Sequence, residues 1–392
     1  MIKRTGMAAV LSTLLMVIAC ARPCRAVPGV KAEASGYVVY FGTKGPGAKG
    51  VYACRFEPSE TRFGPVSLVA EIESATWLTT HPTRRVLYAV SEMGNDGKVD
   101  GEVSSFAIDP ATGSLKPLNR ISSGGGGPTH LAVDRAGKAI AVANYGGASV
   151  TVFRLKPDGS LGERTALAQH TGSSVHPVRQ ASPHPHAVVP TPDERFLFVP
   201  DRGTDKVYSY WFDAAAGSLA PNHPPFVRVP PGFGPRHLAF HPGGRFAYLV
   251  DEMASRITAF SHDPAKGSLT EIQTISTLPD AFAEENTAAE VVVDRAGRVL
   301  YASNRGDDSI VVFSISPASG LLTKVQRVPA QGKRPRSFNV DPSGRLLLVA
   351  SQDSNRVPVF AVDAATGELS PLGMSLSVPA PACIVFVPAS PK

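Results

Sequence analysis

The sequence is poor in sulfur and in charge. Four cysteines stand among 392 residues, and Asp, Glu, Lys and Arg together make up 18%. Two of the four, Cys20 and Cys24, fall near the N-terminus, so only Cys54 and Cys383 remain for the body of the chain. That excludes a disulfide framework of the kind that holds small secreted domains together. The formal charge of +6 is spread over scattered residues. No run of Lys/Arg with interleaved aromatics exists, so a nucleic-acid partner has no electrostatic footprint. Past the first twenty residues no apolar run approaches the ~18 residues of a spanning helix. Gly-x-Ser-x-Gly is absent, as is a haem-type Cys-x-x-Cys-His. Gly124–Gly127 is followed by neither a helical pattern nor Lys-Ser/Thr, which predicts a flexible loop and not a phosphate cradle. What the chain has in quantity is turn chemistry: 36 Gly and 35 Pro beside 43% hydrophobic residues. This is a globular, turn-rich composition with length enough to bury a core.

The first residues read as an export signal and not as fold. Lys3 and Arg4 give a positive start, and Met7 to Ala19 form an apolar run too short to span a bilayer well. Val17-Ile18-Ala19-Cys20 resembles a lipobox, in which Cys20 is lipidated and becomes the new N-terminus. Cys24-Arg25-Ala26 offers ordinary signal peptidase small residues at its −3 and −1 positions. Residues 1–26 are therefore expected to be a signal peptide of one or the other type. Residues 27–392 then form the mature domain, periplasmic or held at the membrane by a lipid anchor.

Two motifs recur and interleave. The first is a turn ending in Gly-x-Leu: Asp109-Pro-Ala-Thr-Gly-Ser-Leu115, Pro157-Asp-Gly-Ser-Leu161, Asp213-Ala-Ala-Ala-Gly-Ser-Leu219, Asp263-Pro-Ala-Lys-Gly-Ser-Leu269, Pro317-Ala-Ser-Gly-Leu-Leu322 and Asp363-Ala-Ala-Thr-Gly-Glu-Leu369, with a degenerate seventh at Glu57. Asp or Pro followed by Gly joins two strands. The second is a hairpin, as in His237-Leu-Ala-Phe-His-Pro-Gly-Gly-Arg-Phe-Ala-Tyr-Leu-Val250, whose copies begin at Trp77, His130, His186, His237, Glu290, Ser337 and Cys383. The step of roughly 50 residues is that of a four-stranded propeller blade. Both motifs count to seven. The fold class is therefore all-β, a seven-bladed β-propeller forming one domain.

In each copy the strands run a to d; in the second, a is His130–Asp134, b Ala139–Asn144, c Ser149–Leu155, and d lies near Leu161–Ala168. The C-terminal Cys383-Ile-Val-Phe-Val-Pro388 supplies an a strand and stops, while residues 37–42, 51–56 and 67–72 supply b, c and d. The last blade should thus be closed by both termini, which protects the open edges of the ring. Cys383 on a and Cys54 on c would then lie about two strand spacings, or ~9.6 Å, apart. A disulfide needs Cα atoms within about 7 Å, so two free thiols are expected.

The repeats also act as an internal control. At the first position of strand a stand Trp77, His130, His186, His237, Glu290, Ser337 and Cys383, where neighbouring positions are mostly Leu, Val, Ile or Phe. A single histidine there would ordinarily cap a strand end. Four adjacent blades with an ionisable group at one equivalent point argue for a site. Strands a and b pair antiparallel, so the starts of a lie beside the ends of b. Those ends read Ser91-Glu92, Asn144-Tyr145, Asp201-Arg202, Asp251-Glu252, Asn304-Arg305 and Ser351-Gln352. Pro183-His184-Pro-His186, Gly234-Pro-Arg236 and Arg334-Pro-Arg336 precede strand a and should aim their side chains inward. All of these groups are expected at one channel mouth, a convergent polar pocket suited to a ligand. Tyr208, Tyr210 and Trp211 on strand c are expected to pack between blades.

These segments resemble the bacterial lactonase family of seven-bladed propellers, the 6-phosphogluconolactonase type. The resemblance rests on Ser182-Pro-His-Pro-His186, Phe196-Leu-Phe-Val-Pro-Asp-Arg-Gly-Thr-Asp205, Gly234-Pro-Arg-His-Leu-Ala-Phe-His-Pro242, Ala289-Glu-Val-Val-Val293, Tyr301-Ala-Ser-Asn-Arg-Gly306 and Pro335-Arg-Ser-Phe338. It spans about Tyr37 to Pro388. It implies His184 or His186, Arg236, His237, Glu290 and Arg305 as cleft residues. Where the family has Arg-His in the sixth blade, this chain has Arg336-Ser337. The activity implied is hydrolysis of a sugar-derived lactone, although export removes the chain from cytosolic phosphorylated sugars.

Hydrolysis needs an activated water and a stabilised oxyanion. His186 or Glu290 is the expected base, and Arg236 or Arg305 the expected oxyanion donor. His186, Glu290 and Arg305 are thus the catalytic candidates; His130, His184, Arg202, Arg236, His237 and Arg336 are the binding candidates. The expected partner is a small anionic lactone, with no cofactor. Two other readings use the same mouth: a non-catalytic periplasmic binding or scaffold propeller, and a metal held by His130, His186, His237 and Glu290.

Overall fold

The computed structural model describes residues 36–389 and the first two residues of the chain. The expected signal segment, both cleavage sites and Cys20 lie outside the described residues from position 3 onward. Seven antiparallel sheets follow one another, six with four strands and one with five. Their inner strands are Leu78–Thr80, Pro128–Val133, Val189–Pro190, Pro235–Phe240, Thr287–Val293, Pro335–Val340 and Pro381–Pro388. In chain order these define blades one to seven.

The seventh blade is closed as expected. Tyr37–Thr43 pairs on one side with Pro381–Pro388 and on the other with Gly50–Glu57. Both Arg62–Phe63 and Ser67–Glu71 continue the sheet from Gly50–Glu57, which accounts for its fifth strand. Val39 opposes Cys54 while Gly42 opposes Cys383, so a whole strand separates the two cysteines. Both are free and buried.

Burial follows strand order. The b strands, such as Val86–Ser91, Ala139–Asn144, Phe196–Asp201 and Phe246–Asp251, are buried along their entire length. The d strands, such as Leu115–Ser122, are half-buried or exposed. Apolar clusters join neighbouring blades: Tyr248, Val250 and Ile257 of blade four pack with Val291, Leu300 and Phe313 of blade five. The Gly-x-Leu turn does part of this joining. Buried Tyr40, Tyr88, Tyr248 and Tyr301 donate hydroxyl hydrogen bonds to the carbonyls of Gly113, Gly159, Gly320 and Gly367 in the next blade. Gly113 has φ of 78°, and a Cβ there would meet Val38 of the neighbouring blade at 2.9 Å. The recurrent glycine thus gives a left-handed turn and room for the blade beside it.

Two local expectations are corrected. Blade three has an inner strand of only two residues, and His186 lies ahead of it. Pro183 and Pro185 have no N–H to give a ladder; Pro185 makes an isolated bridge to Asp201, and the His186 N–H donates to the Pro200 carbonyl. Gly124–Gly127 is packed, not loose. Gly126 abuts the main chain of Gly94, Gly127 the Asn95 side chain and the main chain of Gly146, and Gly125 lies against Ser149 and Asn144. Side chains there would collide, so the run serves close backbone approach.

Candidate active site

Glu92, Tyr145, Arg202, Glu252, Arg305, Gln352 and Lys44 occupy equivalent positions at the ends of the b strands, and the first five line the channel mouth. Strand Val299–Arg305 ends on its own member of the set. Neighbours around this ring interact. Lys44 Nζ lies 2.7 Å from Glu92 Oε1, and Gln352 Nε2 donates to the Lys44 carbonyl. The Arg202 guanidinium stands over the Tyr145 ring at 4.9 Å and reaches Glu252 Oε1 at 3.1 Å. Arg305 Nη2 lies 3.3 Å from Glu252 Oε2.

A second set of cations descends from the loops into strand a. The a–b ladder slips by one residue between Pro235 and His237 and again between Pro335 and Ser337. Such bulges re-aim the extra side chain. Arg236 is thereby buried at 2% exposure, with Nη1 donating to the Ala289 carbonyl at 2.5 Å. Its Nε is 3.3 Å from Glu252 Oε2, close enough for charge attraction but not aligned for a hydrogen bond. Arg336 Nη2 lies 3.3 Å from Glu92 Oε2. Arg179, from the long loop between blades two and three, closes on Glu252 Oε1 at 2.6 Å.

Glu252 therefore carries four guanidinium groups, and Glu92 an ammonium and a guanidinium. Six cations against two carboxylates leave this network four positive charges in excess; with Lys333, Arg334, Glu285, Asp308 and Asp353 of the cavity wall counted, the surplus is three. Burial alone would raise the Glu252 pKa, but Arg305, Arg202, Arg236 and Arg179 outweigh it and hold the carboxyl far below the ordinary range. Burial, together with mutual repulsion, pushes Arg236 down to about 9 and Arg305 down to about 10. Such a cluster attracts an anion. Arg179, Arg202, Arg305 and Arg336 of this cluster line a cavity of about 1030 Å³ that His186 also borders, while Arg236 and Lys44 lie behind its wall. On the rim, Lys333 pairs with Asp308 at 3.1 Å.

His186 is clamped by its backbone: its N–H donates to Pro200 and its carbonyl accepts from Thr129 Oγ1 at 3.0 Å. Burial first, then Arg236, His237 and Arg336, hold its pKa well below the ordinary imidazole value, so the ring is neutral near pH 7. His184 stacks on Tyr145 at 4.2 Å and bonds the Tyr145 carbonyl through Nδ1. It supports the loop and is absent from the cavity lining.

His130, His237 and Glu290 lie elsewhere than expected. With Trp77, Ser337 and Cys383 they line a separate cavity of about 490 Å³ inside the channel. The two rings of residues are stacked in depth, with the b-end ring at the mouth and the strand-a ring below it. Glu290 Oε1 is 2.8 Å from His237 Nδ1, and its Oε2 accepts from Ser337 Oγ at 3.1 Å. The four candidate metal ligands do not converge, and among the described residues no group of three His, Cys, Asp or Glu could hold an ion.

Glu252 was expected at the mouth among the b-strand ends, though with no role given; Lys44 and Arg179 were not singled out from sequence. Lys44 was readable, since it occupies the same position after strand b as Arg202 and Arg305. Arg179 belongs to no repeat. A buried network behind the loop had no sequence signal either: Tyr210 Oη meets His170 Nε2 at 2.9 Å, and His170 Nδ1 meets Asp201 Oδ2 at 2.6 Å. Asp201 Oδ1 accepts from the N–H of His184, Gly203 and Thr204, which fixes the segment carrying His186. Tyr210 is buried, as blade packing predicted, whereas Trp211 is 46% exposed.

Fold and site together define a seven-bladed propeller with a cationic, histidine-bearing pocket at the mouth of its channel. The family model described as lactonase, 7-bladed beta-propeller, matches residues 38–386, and the chain belongs to that family. It is 34% identical over 353 residues to the 6-phosphogluconolactonase of Bacillus subtilis, covering 90% of this chain and 98% of that one. The 6-phosphogluconolactonase of Formosa agariphila is 32% identical, over 78% of this chain and 85% of its own. Among solved structures, the periplasmic gluconolactonase of Pseudomonas aeruginosa superposes with a TM-score of 0.84 at 36% identity, covering 91% of this chain and all of that one.

Proposed function

We propose that this chain is a lactonase that hydrolyses a sugar-derived lactone in the mouth cavity. The relatives named 6-phosphogluconolactonase and gluconolactonase support the reaction class. The observation that carries the assignment to this site is His186 bordering the one cavity that Arg179, Arg202, Arg305 and Arg336 also line. His186 takes a proton from water as that water adds to the lactone carbonyl. Arg305 holds the oxyanion that forms, in a site charged before reaction, and Arg236 supports it from behind the wall through Glu252. Glu252 binds no substrate in this scheme; it holds the four guanidinium groups together. With its carboxyl so far below the usual range it is a poor base. Collapse of the intermediate breaks the ring C–O bond, and the proton on His186 goes to the departing oxygen. The surplus charge then receives the product carboxylate.

Export completes the reading. Residues 1–26 serve as a signal peptide, residues 27–392 are the mature propeller, and the substrate is met in the periplasm or at a membrane to which lipidated Cys20 anchors the domain. The periplasmic relative supports this setting. Intact mass of the mature protein separates a lipidated Cys20 terminus from cleavage after Ala26.

The test is pH-stat hydrolysis of δ-gluconolactone, its 6-phosphate and carboxylated lactones, with His186→Ala beside the wild type. Turnover that falls by roughly 10²- to 10⁴-fold in the variant supports the assignment. Turnover that is absent in the wild type, or intact in the variant, overturns it.

A further inference from the structure

We infer that His237 and Glu290 form a proton relay behind His186, joined to it by one buried water; the inference rests on the proposed role of His186. Two ring nitrogens in this region are buried and without partners: Nδ1 of His186 and Nε2 of His237. Buried polar atoms are nearly always satisfied, by protein or by ordered water. The two rings belong to adjacent blades and their centroids are 5.1 Å apart, inclined at 64°. With the rings this close and neither nitrogen bonded to the other, one water bridging them would satisfy both atoms. The rings also border different cavities, His186 the mouth and His237 the channel. The water would lie at the junction of the two.

The chain of donors fixes its direction. Glu290 Oε1 lies 2.8 Å from His237 Nδ1, and Ser337 Oγ donates to the other carboxylate oxygen. The carboxylate accepts, so His237 carries its hydrogen on Nδ1 and turns a lone pair outward at Nε2. The water donates to that lone pair and accepts from His186 Nδ1–H. His186 then presents an unprotonated Nε2 to the mouth, the form a general base needs. During attack the water in the mouth loses a proton to His186 Nε2, and the new O–C bond forms to the lactone carbonyl. His186 Nδ1–H passes its proton to the bridging water, which gives one to His237 Nε2. The resulting imidazolium is stabilised by Glu290. Reversal of the relay protonates the alkoxide released on ring opening, and the product acid gives its proton to solvent.

The groups facing this relay are few. His130 packs edge-on to His237 at 5.4 Å and Trp77 at 5.2 Å. Arg236 and Arg336 repel a proton on His237, whereas Glu290 attracts it. Glu290 is the one carboxylate that favours the charged form of His237, so its removal must lower the proton affinity of the relay. His237 and Glu290 are positioning residues, since neither lines the mouth cavity.

The test compares Glu290→Gln, His237→Gln and wild type by pH–rate profile on δ-gluconolactone and by ¹⁵N spectra of the imidazoles. The relay requires kcat to fall roughly 100-fold in both variants, the lower end of the general acid–base range, with KM within twofold. It also requires the acidic limb of kcat/KM to move down by roughly one pH unit in Glu290→Gln, as loss of a neighbouring negative charge dictates. A rate loss uniform in pH means a structural role only and overturns the relay, as does a rate within twofold of wild type. If the wild type hydrolyses no lactone, the proposed function fails. The spectra then decide the relay alone: His237 as the Nδ1–H tautomer supports it, and the Nε2–H tautomer overturns it.

Discussion

Replacing Glu252 by Gln removes the one carboxylate that holds Arg179, Arg202, Arg236 and Arg305 together while leaving the shape of the side chain. The four contacts run from 2.6 to 3.3 Å, and Glu252 is 4% exposed. At an effective dielectric of 20, each pair near 3.3 Å is worth about 5 kcal/mol before the cost of removing the ions from water. Most of that sum is offset by desolvation, and breaking a buried pair of this kind leaves a net loss of about 3–5 kcal/mol. The expected result is a loss of that size in urea unfolding of Glu252→Gln at pH 7 in a buffer without multivalent anions. Phosphate should recover part of it, because it fills a cluster that now has five surplus charges. At a concentration 100 times its Kd the recovery is about 2.7 kcal/mol. The pH dependence has a definite sign. The folded-state pKa of Glu252 is depressed, so its contribution is complete above the unfolded value of ~4.3. It is lost as pH falls through the folded value, and the gap between wild type and variant should close in acid. A loss below about 1 kcal/mol, or one that phosphate does not touch, would refute the account of Glu252 as the counter-charge of the site.

Asp251 gives the opposite case. It is fully buried, Thr258 Oγ1 donates to one oxygen at 2.7 Å, and the other has no partner. Burial raises its pKa well above the ordinary value, so it stays protonated in the fold while the unfolded chain ionises as pH rises past ~3.9. Stability is lost over that rise, and Asp251→Asn should gain on the order of 1–2 kcal/mol at pH 7 and little at pH 3, by urea unfolding. Asp201→Asn should lower kcat by roughly tenfold, because it removes the charge that strengthens the three backbone bonds of the His184 segment and forces His170 into the other tautomer; a kcat within twofold would show that the network leaves His186 in place. Burial pushes the Cys54 and Cys383 thiols up to about 12. Neither should react with a disulfide reagent at pH 8 until denaturant is added, and labelling of the native domain would contradict their burial.

Most of the architecture was legible because it repeats. A turn with a left-handed glycine and a hairpin with an apolar, fully buried second strand recur about every 50 residues, and each copy samples the same environment. The missing strand at one end and the extra strands at the other left only one way to close the ring. Equivalence among copies also exposed the strand-a set from Trp77 to Cys383 and the polar residues after strand b. Arg179 and the His170–Asp201–Tyr210 network had no such control, since one comes from a loop outside the repeat and the other crosses it.

Periodicity in the sequence determined how many blades there are, how the last is closed, which cysteines cannot meet and which residues face the channel. It could not set their depth. A one-residue bulge in the a–b ladder turns Arg236 and Arg336 into the mouth and leaves His237 and Ser337 below them, and that slip is a property of strand pairing. Nor could it say which faces of adjacent blades touch. Glu252 meets Arg305 and His237 meets Glu290 from about fifty residues away because the blades pack at a fixed angle around one axis. Only the assembled ring decided that Glu252 gathers the cations at the mouth while Glu290 lies deeper, behind a histidine.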